Sequence, residues 1–208
     1  MLSAPYILFR DDFAGSEVLF DQPPKIILAE KVEDFFPALE AAQKAHEQGK
    51  RLAGYFSYEA GYLLEPKLGP IIPEDRRTPL MVMGVFDGPS QAPLPQDGRP
   101  QTSGPIFGVR ETWSFDDYRQ RFDRVHRHLR EGDCYQANLT FPVEAKWTGD
   151  PVSACDALVA RQAVKYGALV DLGGPVILSR SPELFFEVDG EGWIETHPMK
   201  GTAPRGAK

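Results

Sequence analysis

Two tight turns in the last third of the chain set the strongest limit on its fold. Apolar runs at 168–172 (ALVDL) and 176–179 (VILS) flank Gly173-Gly174, and a second pair at 184–188 (LFFEV) and 193–196 (WIET) flanks Asp189-Gly190. Gly-Gly and Asp-Gly suit the positive-φ turns that close two-stranded hairpins. Consecutive strands with no helix between them pair antiparallel, because a parallel neighbour needs a crossover of a dozen or more residues. This stretch therefore predicts antiparallel sheet and argues against a doubly wound parallel one.

The first ninety residues add strand-like runs at 6–9 (YILF), 25–28 (KIIL), 52–58 (LAGYFSY) and 80–86 (LMVMGVF). Between 32 and 48, Phe35, Phe36, Leu39, Ala42 and Ala45 recur at helical spacing, and Gly49 supplies a stop. Ser114, three residues ahead of Asp117, is a capping-box-like helix start. Tyr118, Phe122, Val125 and Leu129 then lay one apolar stripe on a helix that Gly132 can end. From 135 to 143, apolar Tyr135, Ala137, Leu139, Phe141 and Val143 alternate with Gln136, Asn138 and Thr140, which predicts a strand with one polar face. Asp150-Pro151 opens a helix to about 165. Residues 88–105 hold five prolines and three glycines with little apolar content, an exposed loop by composition. It suggests two domains, 1–112 and 113–208.

Charge and hydropathy remove whole classes of function. With 23 Lys+Arg against 30 Asp+Glu the net charge is −7, the wrong sign for a protein that must displace counterions from nucleic acid. No apolar run approaches the ~20 residues of a membrane span. The apolar stretch at the N-terminus precedes its charges, the reverse of a secretory signal. Two cysteines, Cys134 and Cys155, make neither a disulfide framework nor a metal-ligand spacing. A cytoplasmic enzyme or binding protein is the expectation.

Four features could carry chemistry. The polar strand face of Gln136, Asn138 and Thr140 is either a solvated side or a row of neutral hydrogen-bonding groups lining a cleft. SRSPE at 179–183 ends a strand with two hydroxyls and Glu183, whose pKa would rise toward general-acid use if it were buried beside Leu184 and Phe185. PMKGTAPRG at 198–206 is either a surface turn or a close-approach loop, with Lys200 as point charge or nucleophile. His126 and His128 stand two apart on a helix and do not share a face, so they are not a paired metal site.

Taken together, GDCYQANLT at 132–140, SRSPE at 179–183, and PMKGT with Arg205-Gly206 resemble the chorismate-utilising enzymes in order as well as in wording. GYFSYE at 54–59 resembles their N-terminal domain. Isochorismate and salicylate synthases carry a lysine base where this chain has Gln136. A neutral amide cannot take a proton from water at a useful rate, which argues against water as nucleophile. Anthranilate synthases usually have alanine at the position of Lys200. The lysine form marks the component I type that aminates chorismate on the route to 4-aminobenzoate and folate.

The resemblance implies an α+β fold, antiparallel β-sheets packed face to face with helices outside. It implies that Lys200 forms a covalent adduct at C2 of chorismate while Glu183, as general acid, protonates the departing C4 hydroxyl. Ammonia, delivered by a glutamine amidotransferase partner, then displaces the lysine. Gly201 and Thr202 are implied to hold a substrate carboxylate through backbone N–H groups, with Gln136 and Asn138 as further substrate-binding residues. The family uses Mg²⁺, and no residue of this chain matches its ligands. In the family the chorismate domain continues well past this motif, so the resemblance implies an N-terminal fragment, inactive alone and with incomplete sheets. Anthranilate synthase component I and a non-catalytic docking fragment are the alternatives.

Overall fold

The computed structural model describes residues 3–91, 106–199 and 201. In chain order the strands and helices are β1 (Tyr6–Asp11), β2 (Ser16–Asp21), β3 (Lys25–Ala29), α1 (Phe35–Glu47), β4 (Arg51–Phe56), β5 (Met81–Phe86), β6 (Phe107–Glu111), α2 (Phe115–Glu131), β7 (Val143–Lys146), α3 (Pro151–Arg161), β8 (Tyr166–Asp171), β9 (Ile177–Ser181), β10 (Leu184–Val188) and β11 (Ile194–His197). They fall into two compact units, residues 1–101 with 151–208 and residues 102–150. These units do not follow the sequential halves 1–112 and 113–208, because β8 pairs with β1.

The larger unit has the expected α+β architecture. One sheet runs in the order β2-β1-β8-β9 and another in the order β3-β5-β4, every pairing antiparallel. Successive side chains on a strand point to opposite faces, and the core follows that period. Ile7, Val170 and Leu172 meet Ala53, Val82 and Phe86, so the two sheets pack face to face. On the other face of the first sheet, Tyr6, Leu8 and Leu169 pack with Cys155 and Val152 of α3. On the outer face of the second, Ile27, Met81 and Val85 pack with Phe35, Ala38 and Ala42 of α1. Helices thus cover both outer faces. Ile7, Leu8, Met81, Phe86 and Leu169 are among the largest fully buried side chains, and burying one such residue stabilises by about 2–3 kcal/mol.

Both hairpins form, through loops longer than two-residue turns: β8 pairs with β9 around Gly173 at φ 88°, and β10 pairs with β11, with a register shift between Leu184 and Glu187, around Gly192 at φ 88° and not at the expected Asp189-Gly190. Strand β2 was not expected, because SEVLFD carries a charge at either end of a short apolar run. The helix foreseen over 32–48 begins with a 3-10 turn (Val32–Asp34) before α1. Residues 57–58, expected to finish a strand, instead lead into a 3-10 segment (Tyr58–Leu64). α3 ends at Arg161, short of 165. Of the proline-rich loop, 92–105 lie outside the described residues.

In the smaller unit the capping box forms as read. Ser114 Oγ accepts from the Asp117 N–H at 3.1 Å, and Asp117 Oδ2 accepts from the Ser114 N–H at 3.2 Å. Gly132 closes α2 in the left-handed region at φ 82°. Trp113 stacks on Phe141 at 5.3 Å, and the Arg121 guanidinium lies 4.3 Å above the Trp113 ring. The strand predicted over 135–143 does not form. Only 143–146 is strand, paired with β6, and 134–142 carry no regular structure. Alternation shows only that a segment suits a pleat. A strand also needs a neighbour for its N–H and C=O groups, and among the described residues no strand pairs with 135–141, the Thr112 N–H reaching only the Pro142 carbonyl.

Candidate functional site

Two of the sequence strings meet in the larger unit. A cavity of about 820 Å³ is lined by Gly54, Tyr55, Ser57 and Glu59 from GYFSYE and by Ser179, Ser181 and Glu183 from SRSPE. Its walls also include Phe9, Tyr166 and Phe185, so it is largely apolar with a few polar groups, the usual make-up of a small-molecule site. Tyr55 Oη and Ser57 Oγ are buried with no hydrogen-bond partner among the described residues. Burial pushes the Tyr55 phenol up from its ordinary value, which keeps it a neutral donor.

Glu183 stands at the rim of this cavity and is exposed. Its backbone is fixed by one side chain: Ser181 Oγ accepts from the Glu183 N–H at 3.2 Å and donates to the Glu183 carbonyl at 2.9 Å. Ser179 and Ser181, two apart on β9, both face the cavity, and Arg180 between them points to the α3 side of the sheet.

There Arg180 Nη2 donates to Asp12 Oδ2 at 2.6 Å and to the Gln162 carbonyl at 2.6 Å. The Val164 N–H donates to the same Asp12 oxygen at 2.8 Å. Arg10 lies 3.8 Å from Asp12, 3.1 Å from Glu17 and 2.6 Å from Asp156. The Asp12 side chain is 4% exposed and that of Arg180 12%. Burial drives the Asp12 carboxyl upward, but the Arg180 hydrogen bond, the Val164 amide and the two guanidinium charges outweigh it and hold the group below its usual range.

The sequence-predicted residues divide between the units. Glu183 and Gly201 belong to the larger; Gly201 is exposed, and no described residue stands within 4 Å of where its side chain would be. Gln136 and Asn138 belong to the smaller and are both exposed. Asn138 lines a hollow of about 390 Å³ beside the apolar stripe of α2. Lys200 and Thr202 lie outside the described residues. Asp12 was missed by the sequence reading because its partner stands 168 positions away, and Arg180 was read as part of a string without a role.

Among the described residues, His128, Glu131 and Asp133 come close enough to share an ion. They do not suit Mg²⁺, a hard cation that demands near-octahedral oxygen ligands. One of the three is an imidazole, and its Nδ1 already meets Asp133 Oδ2 at 2.8 Å.

Residues 89–208 match the model of the chorismate binding enzyme family. An aminodeoxychorismate synthase of Streptomyces pristinaespiralis is 33% identical over 108 residues, 52% of this chain and 15% of its own length. An aminodeoxychorismate synthase component 1 of Salmonella typhimurium is 38% identical over 89 residues, 43% of this chain and 19% of its own. An anthranilate synthase component 1 of Haloarcula marismortui is 38% identical over 91 residues, 44% and 18% respectively. The matched segments span about a fifth or less of these relatives.

Proposed function

The chain belongs to the chorismate binding enzyme family, and on that premise we propose that it carries the nucleophile and the acid of an aminodeoxychorismate synthase. The observation that carries this reading is the presence in one sequence of Lys200 in PMKGT and Glu183 in SRSPE, with Glu183 at a cavity rim. Relatives named aminodeoxychorismate synthase support it. The reaction replaces the C4 hydroxyl of chorismate with an amino group, as on the route to 4-aminobenzoate and folate.

The Lys200 amine, unprotonated, attacks C2 of chorismate. Both conjugated ring double bonds shift, C1=C2 to C1=C6 and C5=C6 to C4=C5, and the C4 hydroxyl leaves as water with the proton that Glu183 donates. Ammonia then adds at C4, both double bonds shift back, and the lysine departs from C2 with a proton passed from the added nitrogen to its own. Two conjugate displacements across the diene replace one direct displacement, which is what covalent catalysis offers. Gln136 is an amide and cannot activate water, so ammonia meets no competing hydroxide at that position. Gln136 and Asn138 hydrogen-bond the substrate, and the N–H groups of Gly201 and Thr202 hold one carboxylate. Mg²⁺, were it bound, would supply positive charge for the other carboxylate, and no described residue of this chain is assigned to hold it. The ammonia comes from a glutamine amidotransferase subunit. No described helix is long and apolar enough to cross a membrane. We place the reaction in the cytoplasm on the family resemblance alone.

Intact-mass analysis after incubation with chorismate tests the covalent step. The expected species is the chain plus chorismate less one water, absent in Lys200→Ala. Full occupancy by chorismate with no such adduct overturns the proposal. The Haloarcula marismortui relative supports anthranilate formation as a second reading. Product analysis of the full-length enzyme carrying this segment, with ammonia and Mg²⁺, separates the two by amine position, para for the first and ortho for the second.

A further inference from the structure

We propose that Arg180 is a positioning residue, locked behind the sheet by Asp12 so that the strand end carrying Glu183 is presented to the cavity in one conformation. This rests on the reading of Glu183 as the acid.

Three neighbouring strands contribute to the lock. Arg10 on β1 is opposite Gly167 on β8, and Gly167 is opposite Arg180 on β9. The row reads arginine, glycine, arginine, and the central glycine is what lets it close. A Cβ at position 167 would lie 3.2 Å from Arg180 Nη1 and 3.2 Å from the Arg10 carbonyl oxygen. With no side chain there, the Arg180 guanidinium lies across β8 and meets Asp12 just beyond the end of β1, as well as the Gln162 carbonyl just past α3.

Arg180 cannot itself touch anything bound in the cavity, because its flanking residues Ser179 and Ser181 own that face. Its effect passes along the chain. The ion pair holds residue 180 from behind, the proline ring fixes φ at Pro182, and the Ser181 hydroxyl clamps both backbone polar groups of Glu183. A general acid works only within hydrogen-bond reach of its leaving group, so slack at 180 becomes lost alignment at 183. Arg10 makes its shorter contacts with Glu17 and Asp156 and stands 3.8 Å from Asp12, whereas Arg180 reaches the same carboxylate at 2.6 Å.

Amide hydrogen exchange tests this directly. In Arg180→Gln and Asp12→Asn, exchange at Ser181, Glu183 and Leu184 is expected to accelerate at least tenfold while the amides of β3, β4 and β5 keep wild-type protection. Arg180→Lys, which keeps the cation, restores most of the local protection. In amination assays of the full-length enzyme carrying this segment, Arg180→Gln lowers kcat tenfold or more with KM for chorismate within twofold. Unchanged exchange at 181–184, or equal acceleration in β3–β5, overturns the proposal, as does a change confined to KM. Should Asp12→Asn not fold, Asp12→Glu and Arg180→Lys carry the same local-against-global comparison at smaller amplitude. Glu183→Gln is expected to leave exchange intact and abolish amination. If it still aminates chorismate, the acid role fails while the exchange result stands on its own.

Discussion

Alanine at position 54 would test how closely β4 and β5 are pressed together. Gly54 stands opposite Met83, and a Cβ built there would fall 1.9 Å from the Val82 carbonyl oxygen and 2.8 Å from both Met83 Cα and Met83 Sδ. Carbon atoms of real side chains essentially never approach within 3.0 Å, so β4 would have to retreat by about 1 Å or more. The nearest obstacle is backbone, which cannot rotate aside. The retreat strains the ladder joining 51–56 to 81–86 and opens the core cluster in which Ala53 meets Val82. Overpacking of a tight core costs about 1–3 kcal/mol and occasionally more, and a clash with main chain belongs at the top of that range. At about 2–4 °C per kcal/mol for a chain of this length, Gly54→Ala should melt roughly 6–12 °C below wild type. Two controls rank the effect. At Gly84 the added carbon meets ring atoms of Phe86 at 2.5 and 2.6 Å, a side chain that can tilt, so the loss is smaller. At Gly61 nothing lies within 4 Å, and Gly61→Ala should stay within about 0.5 kcal/mol. Urea unfolding of the three variants decides. A Gly54→Ala protein as stable as wild type, or more stable than Gly84→Ala, refutes the reasoning.

Ser114→Ala removes the acceptor that caps α2 and should cost about 1 kcal/mol in the unfolding of the smaller unit, read by urea titration. Leu169→Ala empties a fully buried position between the first sheet and α3, with an expected loss of about 2–5 kcal/mol by the same assay. The Asp12 carboxyl is held below its ordinary value of 3.8, chiefly against burial and by the Arg180 hydrogen bond. A depressed folded-state pKa means that its stabilisation is fully present above that ordinary value and disappears as pH falls through the lower, folded one. Wild type should therefore exceed Asp12→Asn in stability by a constant margin at neutral and mildly acidic pH, with the margin shrinking in strong acid. A margin that instead grows on acidification contradicts the ion-pair assignment.

Local chemistry carried a large part of the fold into the sequence. The glycine-rich breaks after β8 and β10 announced two hairpins, although in the second it is Gly192 and not Gly190 that takes the left-handed turn, and Ser114 with Asp117 announced a helix start because a cap needs only its own residues. The face-to-face sheets followed from the family likeness and are present in the pairing of Ile7 and Val170 with Phe86. The misses are all matters of partnership. Tyr135, Ala137 and Leu139 alternate well enough for a strand, yet no described strand pairs with them. The two charged ends of SEVLFD hid β2, which forms because Leu8 and Leu19 face each other across the β1–β2 ladder. At the site, Glu183 was visible within a short string, whereas Asp12 was not, since no window of sequence holds both Asp12 and Arg180.

The pairing of Tyr6 with Asp171 has a consequence for synthesis. A ribosome delivers the opening hairpin long before the strand that completes its sheet, so β1 must wait with one edge bare while most of the polypeptide is still being made. Closing so long a loop is slow, and an unpaired apolar edge is the feature on which nascent chains clump. Yield on expression should therefore depend on chaperone supply and temperature more steeply than equilibrium stability alone implies.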